Sequence, residues 1–181
     1  MHFGWLKSPE PKDGEVRVRV LAAGVSLPDL LMREGVHPET PPLPFTPGWD
    51  LVGMVNRLGD GVSAIEPGQI TAALPISGAY AEFVCLPQSE LVPVPPGLDA
   101  AEAVSLVLNY VTAYQMLHRS AKVRSGQSVL IHGAEGGGSA RHYCSLGASP
   151  GWRCMVAVHR KGRQPSPTWA VSHLITSIRT S

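Results

Sequence analysis

Short apolar segments, separated by prolines and glycines, recur along the first 98 positions of this chain. Residues 15–23 read EVRVRVLAA, which alternates and then turns apolar, as expected of a strand with one solvated face. Further short, mainly apolar segments predict strands at 49–58, 69–74, 79–86 and 90–94. Many of the 17 prolines and 19 glycines separate these stretches, which is typical of a β domain rather than a helical one. One short helix is predicted at 28–34, with Pro28 in its first turn and Gly35 after its last.

The period changes after Pro95-Pro96-Gly97. Asp99 can cap a helix over 100–108, and 110–119 continues with a helical pattern. Residues 127–132 (QSVLIH) then read as a buried strand of the kind found in parallel sheets. The order is therefore many strands, then helices, then one strand of a different type.

Composition and charge exclude several classes of function. The net charge is +1 with no basic stripe, so nothing indicates a nucleic-acid partner. No apolar run reaches membrane-spanning length. The three cysteines (Cys85, Cys144 and Cys154) are scattered and form no CxxC pair, so we expect neither a disulfide scaffold nor a zinc ribbon. With so few cysteines, we expect a location in the reducing cytoplasm.

The segment 128–138, SVLIHGAEGGG, runs from an apolar strand into a glycine-rich turn. Such a turn lets the backbone approach a pyrophosphate, which then lies at the N-terminus of the following helix. We therefore predict cofactor contacts at Gly133, Ala134, Gly136 and Gly137.

Taken in order, several short motifs resemble the medium-chain dehydrogenase/reductase superfamily, in its zinc-free branch of quinone oxidoreductases and enoyl reductases. The resemblance covers about residues 8–137. The motifs are Gly14-Glu15-Val16, Ala23-Gly24-Val25 with Asp29, Pro44-Phe45-Thr46-Pro47-Gly48 with Asp50, Gly78-Ala79-Tyr80-Ala81-Glu82, Thr112-Ala113-Tyr114 and the 128–137 turn. The resemblance implies a mainly β fold with an α/β start: a GroES-like β domain, then bridging helices, then the first strand and glycine turn of an incomplete Rossmann domain.

Two positions argue against a metal. Zinc members of the superfamily carry Cys after the Gly-Val pair and His-Glu after the Pro-Gly pair. This chain has Ser26 at the first position and Trp49-Asp50 at the second. Zinc needs Cys and His ligands in a tetrahedral set, which Ser26 and Trp49 cannot supply, so we predict no zinc.

The resemblance implies hydride transfer from NADPH to a small quinone or enone substrate. Tyr80 is a candidate pocket hydroxyl, or else a strand residue packing on its neighbour. Asn109 and Thr112 match the segment that lies near the nicotinamide, or else mark a helix end and a hydroxyl that caps backbone. Asp29 and Asp50 shape the cleft, or else cap the short helix and bond a turn, respectively.

The last 43 positions, 139–181, do not continue the motif. Reading the codons in a shifted frame permits a family-like continuation, Gly-Val-Gly-Gln-Ala-Leu-Leu-Gln, after Gly137. We interpret this segment as frameshifted, the alternative being a genuine divergent tail, and expect it to be poorly ordered or falsely helical. The expected domains are 1–98 (GroES-like, its first strand missing), 99–138 (bridging helices and the nucleotide-fold start) and 139–181 (non-family tail).

Two hypotheses follow. By lineage the chain is a zinc-independent, NADPH-dependent oxidoreductase that is inactive in this form, since its nucleotide domain is incomplete. Alternatively, it is a non-catalytic β-domain fragment or interaction module. The oligomeric state is open, because relatives commonly dimerise through the nucleotide domain.

Overall fold

The computed structural model describes residue 4, residues 7–132 and residues 153–157. The chain divides into two compact units, Met1–Leu108 and Asn109–Ser181.

The first unit is built on a five-stranded antiparallel sheet with the order β4-β1-β2-β3-β5. The strands are β1 (Glu15–Ala23), β2 (Leu51–Leu58), β3 (Ile70–Ala73), β4 (Phe83–Pro87) and β5 (Val92–Pro93). The register between β1 and β2 shifts after Arg17 and again after Val20, which marks two irregularities in the ladder.

Alternation along the strands places apolar side chains on both faces of the sheet. Leu51 and Val52 are neighbours on β2 and both are fully buried, yet they belong to different apolar clusters. The larger cluster contains Val16, Val18, Leu51, Val55, Ile65, Ala73, Ala79, Leu86 and Leu91. The smaller one joins Val52 to Ala103 and Val104 of the second helix. The sheet is thus covered on the Val52 face by a helix that follows it in the chain.

One helix lies between β1 and β2 in the chain, and a second follows β5. α1 (Leu27–Arg33) has Pro28 in its first turn, and Gly35 follows with a φ of +72°, as the sequence predicts. α2 (Ala100–Tyr114) begins after Asp99, whose Oδ1 accepts the N–H groups of Ala101 at 2.8 Å and Glu102 at 3.2 Å. Within the described residues, no helix is long and apolar enough to cross a membrane.

In the second unit, α2 continues to Tyr114 and passes into a π-helical turn at Gln115–Ser120. The strands β6 (Ser128–His132) and β7 (Arg153–Ala157) then pair in parallel. The parallel pairing of β6 with Arg153–Ala157 corrects the expectation that the nucleotide fold contributes a single strand, 127–132. The rest of 139–181 lies outside the described residues.

Two predicted strands are much shorter than expected. The prediction at 90–94 yields only β5 at Val92–Pro93, because Gln88–Glu90 forms a 3₁₀ helix. The pattern at 79–86 predicts a strand throughout, whereas β4 begins only at Phe83. The segment at 78–82 instead forms hydrogen bonds with the loop before β2. Gly78 N–H donates to Thr46 O at 2.7 Å, and Tyr80 N–H donates to Pro47 O at 2.9 Å. These bonds draw Tyr80 out of the sheet and against the loop before β2.

Candidate functional site

Asp29 connects helix α1 to the loop before β2. Its Oδ2 accepts the backbone N–H of Ser26 at 2.9 Å and the Ser26 hydroxyl at 2.6 Å. Its Oδ1 accepts the N–H of Gly48 at 3.1 Å, 19 positions along the chain. Asp29 is 5% exposed, so this carboxylate is buried and fixed by three donors. The geometry is that of a helix-capping carboxylate that also fixes a distant loop.

Tyr80 lies over the same loop. Its hydroxyl donates to the carbonyl oxygen of Gly24 at 3.0 Å. Burial raises the pKa of Tyr80 to about 12, and the charge of Asp29, a hydrogen bond with Asp29 and the charge of Asp50 act in the same direction. Tyr80 therefore keeps its proton at physiological pH and serves as a hydrogen-bond donor, not as a base.

Asp50 is the second buried carboxylate and lies immediately before β2. It is 3% exposed, and its Oδ2 accepts the N–H of Leu108 in α2 at 3.2 Å. Its Oδ1 is buried beside Gly24 and makes no hydrogen bond within the usual geometric limits. A Cβ at Gly24 would collide with this carboxylate, so glycine is required there for the two segments to pack.

The environment of Asp50 disfavours its charge. Burial raises the pKa of Asp50 above its ordinary value of 3.8, and the nearby charge of Asp29 adds to this. The backbone N–H groups of Leu108 and Gly24 act in the opposite direction without cancelling the effect of burial. The N–H of Gly24 donates to the backbone carbonyl oxygen of Asp50 at 3.3 Å, so the two segments are bonded beside the carboxylate.

This shift predicts a pH dependence that Asp50→Asn removes. Because the pKa of Asp50 is higher in the folded state, the folded chain binds this proton more tightly than the unfolded chain does. The stability from this group is therefore present below 3.8 and is lost as the pH rises through the folded-state pKa. We expect the free energy of unfolding of the wild type, minus that of Asp50→Asn, to be largest in acid and to fall as the pH rises.

Urea denaturation between about pH 3 and pH 8 measures this difference. Asp60→Asn, which removes an exposed carboxylate, is the matched control. A wild-type minus Asp50→Asn difference that grows with pH would contradict the assignment.

Ser26 and Trp49 occupy the positions at which the resemblance places zinc ligands. The Ser26 hydroxyl is committed to Asp29, and the indole of Trp49 packs edge-on against the His37 ring with the centroids 5.3 Å apart. Neither side chain is a zinc ligand, and Asp50 alone cannot form a tetrahedral set. The described residues contain no group of three or more His, Cys, Asp or Glu that could hold a metal ion.

The remaining predicted site residues are distributed differently. Asn109 and Thr112 are half-buried and lie one turn apart on α2, so they share one helix face in the second unit. Gly133, Ala134, Gly136 and Gly137 lie outside the described residues. The structure therefore brings together Asp29, Asp50 and Tyr80, all within the first unit.

Sequence reasoning did not include Gly24, Gly48 and Trp49 among the site residues. Gly24 and Gly48 belong to the motifs that carry the resemblance, so a signal was present. Gly48 has a φ of +109°, and a Cβ there would lie 2.7 Å from Ala79 Cβ and from Tyr80 N. Both glycines allow the loops that carry the carboxylates to touch.

Comparison with known proteins decides the family. Residues 12–96 match the alcohol dehydrogenase GroES-like domain. The chain is 41% identical over 129 residues to mouse synaptic vesicle membrane protein VAT-1 homolog-like, and 39% identical over 130 residues to rat quinone oxidoreductase.

This chain belongs to the medium-chain dehydrogenase/reductase superfamily, through its GroES-like domain. The predicted relationship to the quinone oxidoreductase branch is confirmed by these relatives, and so is the GroES-like fold. The solved quinone oxidoreductase from Thermus thermophilus, described also in its complex with NADPH, superposes with a TM-score of 0.76 at 33% identity, covering 87% of this chain and 49% of that one.

The matches cover 71% of this chain, but only 31% of the mouse protein and 40% of the rat enzyme. The chain thus spans well under half the length of these curated relatives. The lineage is that of an oxidoreductase, and the region that this chain shares with its relatives is chiefly the β domain.

Proposed function

We propose that this chain derives from a zinc-independent, NADPH-dependent oxidoreductase that reduces small quinones or enones by hydride transfer. The observation that carries the proposal is the match of the chain to quinone oxidoreductase at 39% identity, together with Ser26 and Trp49 at the positions of the zinc ligands. The Thermus relative forms a complex with NADPH, which supports NADPH here. The domain boundaries at 98 and 138 and a cytoplasmic location belong to the same proposal.

Within this proposal, Asp29, Asp50 and Tyr80 organise the substrate side of the site. The two carboxylates are acceptors occupied by backbone or hydroxyl donors, and Tyr80 is a donor occupied by Gly24. Their role is to fix the loops at 24–29 and 47–50, not to exchange protons with a substrate. Asn109, Thr112 and the turn at 133–137 would contribute to the nicotinamide and pyrophosphate sites.

We further propose that the 181-residue chain alone does not turn over. A pyrophosphate site needs the helix that follows the glycine turn, since that helix supplies free N–H groups and a favourable dipole. The sequence after Gly138 lacks a helical apolar pattern, so it does not predict that helix.

The test is oxidation of NADPH, followed by its absorbance, with duroquinone as acceptor. The purified chain is expected to show no rate above the uncatalysed background. A chimera that joins residues 1–132 to the nucleotide-binding remainder of rat quinone oxidoreductase is expected to exceed the chain by about 100-fold or more, because it restores the cofactor site. An inactive, folded chimera that binds NADPH would overturn the quinone and enone assignment, and turnover by the chain alone would overturn the proposed inactivity.

A second candidate function is a non-catalytic interaction module. It is favoured by exposed apolar side chains: Val25 at 79% and Leu27 at 65% at the start of α1, and Leu43 at 84% in the loop before β2. An inactive chimera that binds neither NADPH nor duroquinone would favour this candidate.

A further inference from the structure

Strand β4 forms one edge of the five-stranded sheet, and only one of its two sides is paired. It pairs with β1 without a register shift, from Phe83 opposite Arg19 to Pro87 opposite Glu15. Among the described residues, no other strand pairs with β4. The free side of an edge strand presents unpaired N–H and C=O groups, to which a further strand can be added.

The backbone groups on the free side of β4 belong to Phe83, Cys85 and Pro87. Hydrogen-bonded and non-bonded positions alternate along an antiparallel strand, so alternate residues bond the same neighbour. On the β1 side, Glu82 O accepts an N–H from β1 at 2.9 Å, and Gln88 N–H donates to the residue before β1 at 3.0 Å. The even-numbered positions therefore bond β1. Phe83 and Cys85 each present an N–H and a C=O on the free side, and Pro87 presents a C=O alone.

The sequence along this edge does little to prevent association. Residues 83–89 read FVCLPQS and contain no charged side chain. The opposite edge of the sheet differs, since β5 is two residues long, contains Pro93 and is followed by Pro95 and Pro96. Short strands, prolines and charges are the means by which proteins prevent edge-to-edge pairing. β5 is protected by its length and its prolines, whereas β4 has only Pro87, at its last residue.

The free side of β4 is complementary to the same side of a second copy, arranged antiparallel about Cys85. In this register, Cys85 of each copy exchanges N–H···O=C bonds with Cys85 of the other. Phe83 N–H of each copy donates to Pro87 O of the other, so the N–H that proline lacks removes no donor that the Phe83 N–H requires. Every N–H on the free side of β4 then has an acceptor.

The side chains that face each other in this register are also compatible. Val84 lies opposite Leu86 of the second copy, and both side chains are apolar. Glu82, the charged residue that precedes the strand, lies opposite the neutral Gln88. No like charges therefore face each other along the paired segment, whereas like charges directly opposite would destabilise it.

We propose that a second copy of this chain adds to the free side of β4, forming a symmetric dimer with its two-fold axis at Cys85. The same surface is used by both copies, as a two-fold interface requires. A contact between two short strands buries little surface, so we expect the dimer to be weak and reversible. The backbone groups involved take no part in the cluster of Asp29, Asp50 and Tyr80, so the dimer is independent of the proposed hydride transfer.

The test is sedimentation velocity of the full 181-residue chain in a reducing buffer, from about 10 μM to about 1 mM. We expect the wild type to change from monomer to dimer over this range. Cys85→Glu and Cys85→Lys each place like charges opposite each other at the axis, so each variant alone should dimerise about 5-fold or more weakly. An equimolar mixture of the two variants places opposite charges there and should restore the dimer. Val92→Glu, at an exposed position on the opposite edge, is the matched control and should dimerise like the wild type.

A wild type that stays monomeric at about 1 mM overturns the inference. A dimer that both Cys85 variants leave unchanged, or a mixture that restores nothing, does so too. If a variant does not fold, hydrogen exchange of the wild type decides. The amide protons of Phe83 and Cys85 should exchange more slowly as the concentration rises, while those of Val84 and Leu86, which bond β1, stay protected throughout. Full protection of Phe83 and Cys85 at the lowest concentration would mean that another segment of the same chain occupies the edge, and would refute the dimer.

Discussion

Gly48→Ala is expected to lower the free energy of unfolding of the first unit by about 3 kcal/mol or more. The φ of +109° is unfavourable for an L side chain, and the added Cβ would lie 2.7 Å from both Ala79 Cβ and Tyr80 N. The backbone nitrogen of Tyr80 cannot move aside alone, because its N–H donates to Pro47 O at 2.9 Å. The loop before β2 and the segment before β4 must therefore separate. Urea denaturation followed by circular dichroism measures the loss.

Gly78→Ala is the matched control for this substitution. Gly78 has a similar φ of +103°, but a Cβ there would meet only Val84 Cγ2 at 3.5 Å, an ordinary contact. Gly78→Ala thus carries the backbone strain without the collision, and we expect a loss of about 1–2 kcal/mol. Equal losses for the two variants would show that the close approach of Gly48 to Tyr80 contributes nothing to stability.

The sequence predicts the elements of the first unit well where local rules govern them. Residues 15–23 alternate and form β1 with the predicted bounds. Pro28 lies in the first turn of α1, Gly35 follows its end, and Asp99 caps α2. These features depend on neighbours in the chain, so periodicity and capping rules suffice to place them.

Long-range contacts account for what the sequence leaves open. The apolar pattern at 79–86 predicts a strand throughout, yet the N–H groups of Gly78 and Tyr80 bond the loop at 46–47 instead. This outcome is not encoded in local periodicity, because it depends on which distant segment packs alongside.

The candidate site shows the same division. The sequence names Asp29, Asp50 and Tyr80, and the resemblance supplies their common location. The sequence does not predict that Asp50 accepts the N–H of Leu108, 58 positions away. Nor does it predict that the Trp49 N–H is buried without a described acceptor. Both depend on how the loop at 47–50 is held, which is a property of the folded sheet.

Asp29→Ala is expected to cost about 3 kcal/mol, because it removes the acceptor of three donors at once. The Ser26 hydroxyl can turn towards another acceptor, but the buried N–H of Gly48 cannot. Asp29→Asn retains one amide oxygen and therefore satisfies part of this set, so we expect a smaller loss of about 1–2 kcal/mol. Asp13→Ala, at an exposed turn, is the control and should stay within about 0.5 kcal/mol of the wild type.

The order of these three losses tests what Asp29 does. If Asp29 fixes the loop at 47–50, Asp29→Ala must also disturb Trp49, which follows Gly48 directly. The ¹⁵N–¹H NMR signal of the Trp49 indole should then shift in Asp29→Ala. The same signal should shift less in Asp29→Asn, in proportion to the smaller loss of stability. A large loss of stability with an unmoved Trp49 signal would confine Asp29 to capping α1. In that case the position of the Trp49 donor would have to be set by the Asp50–Leu108 bond and the His37 ring instead.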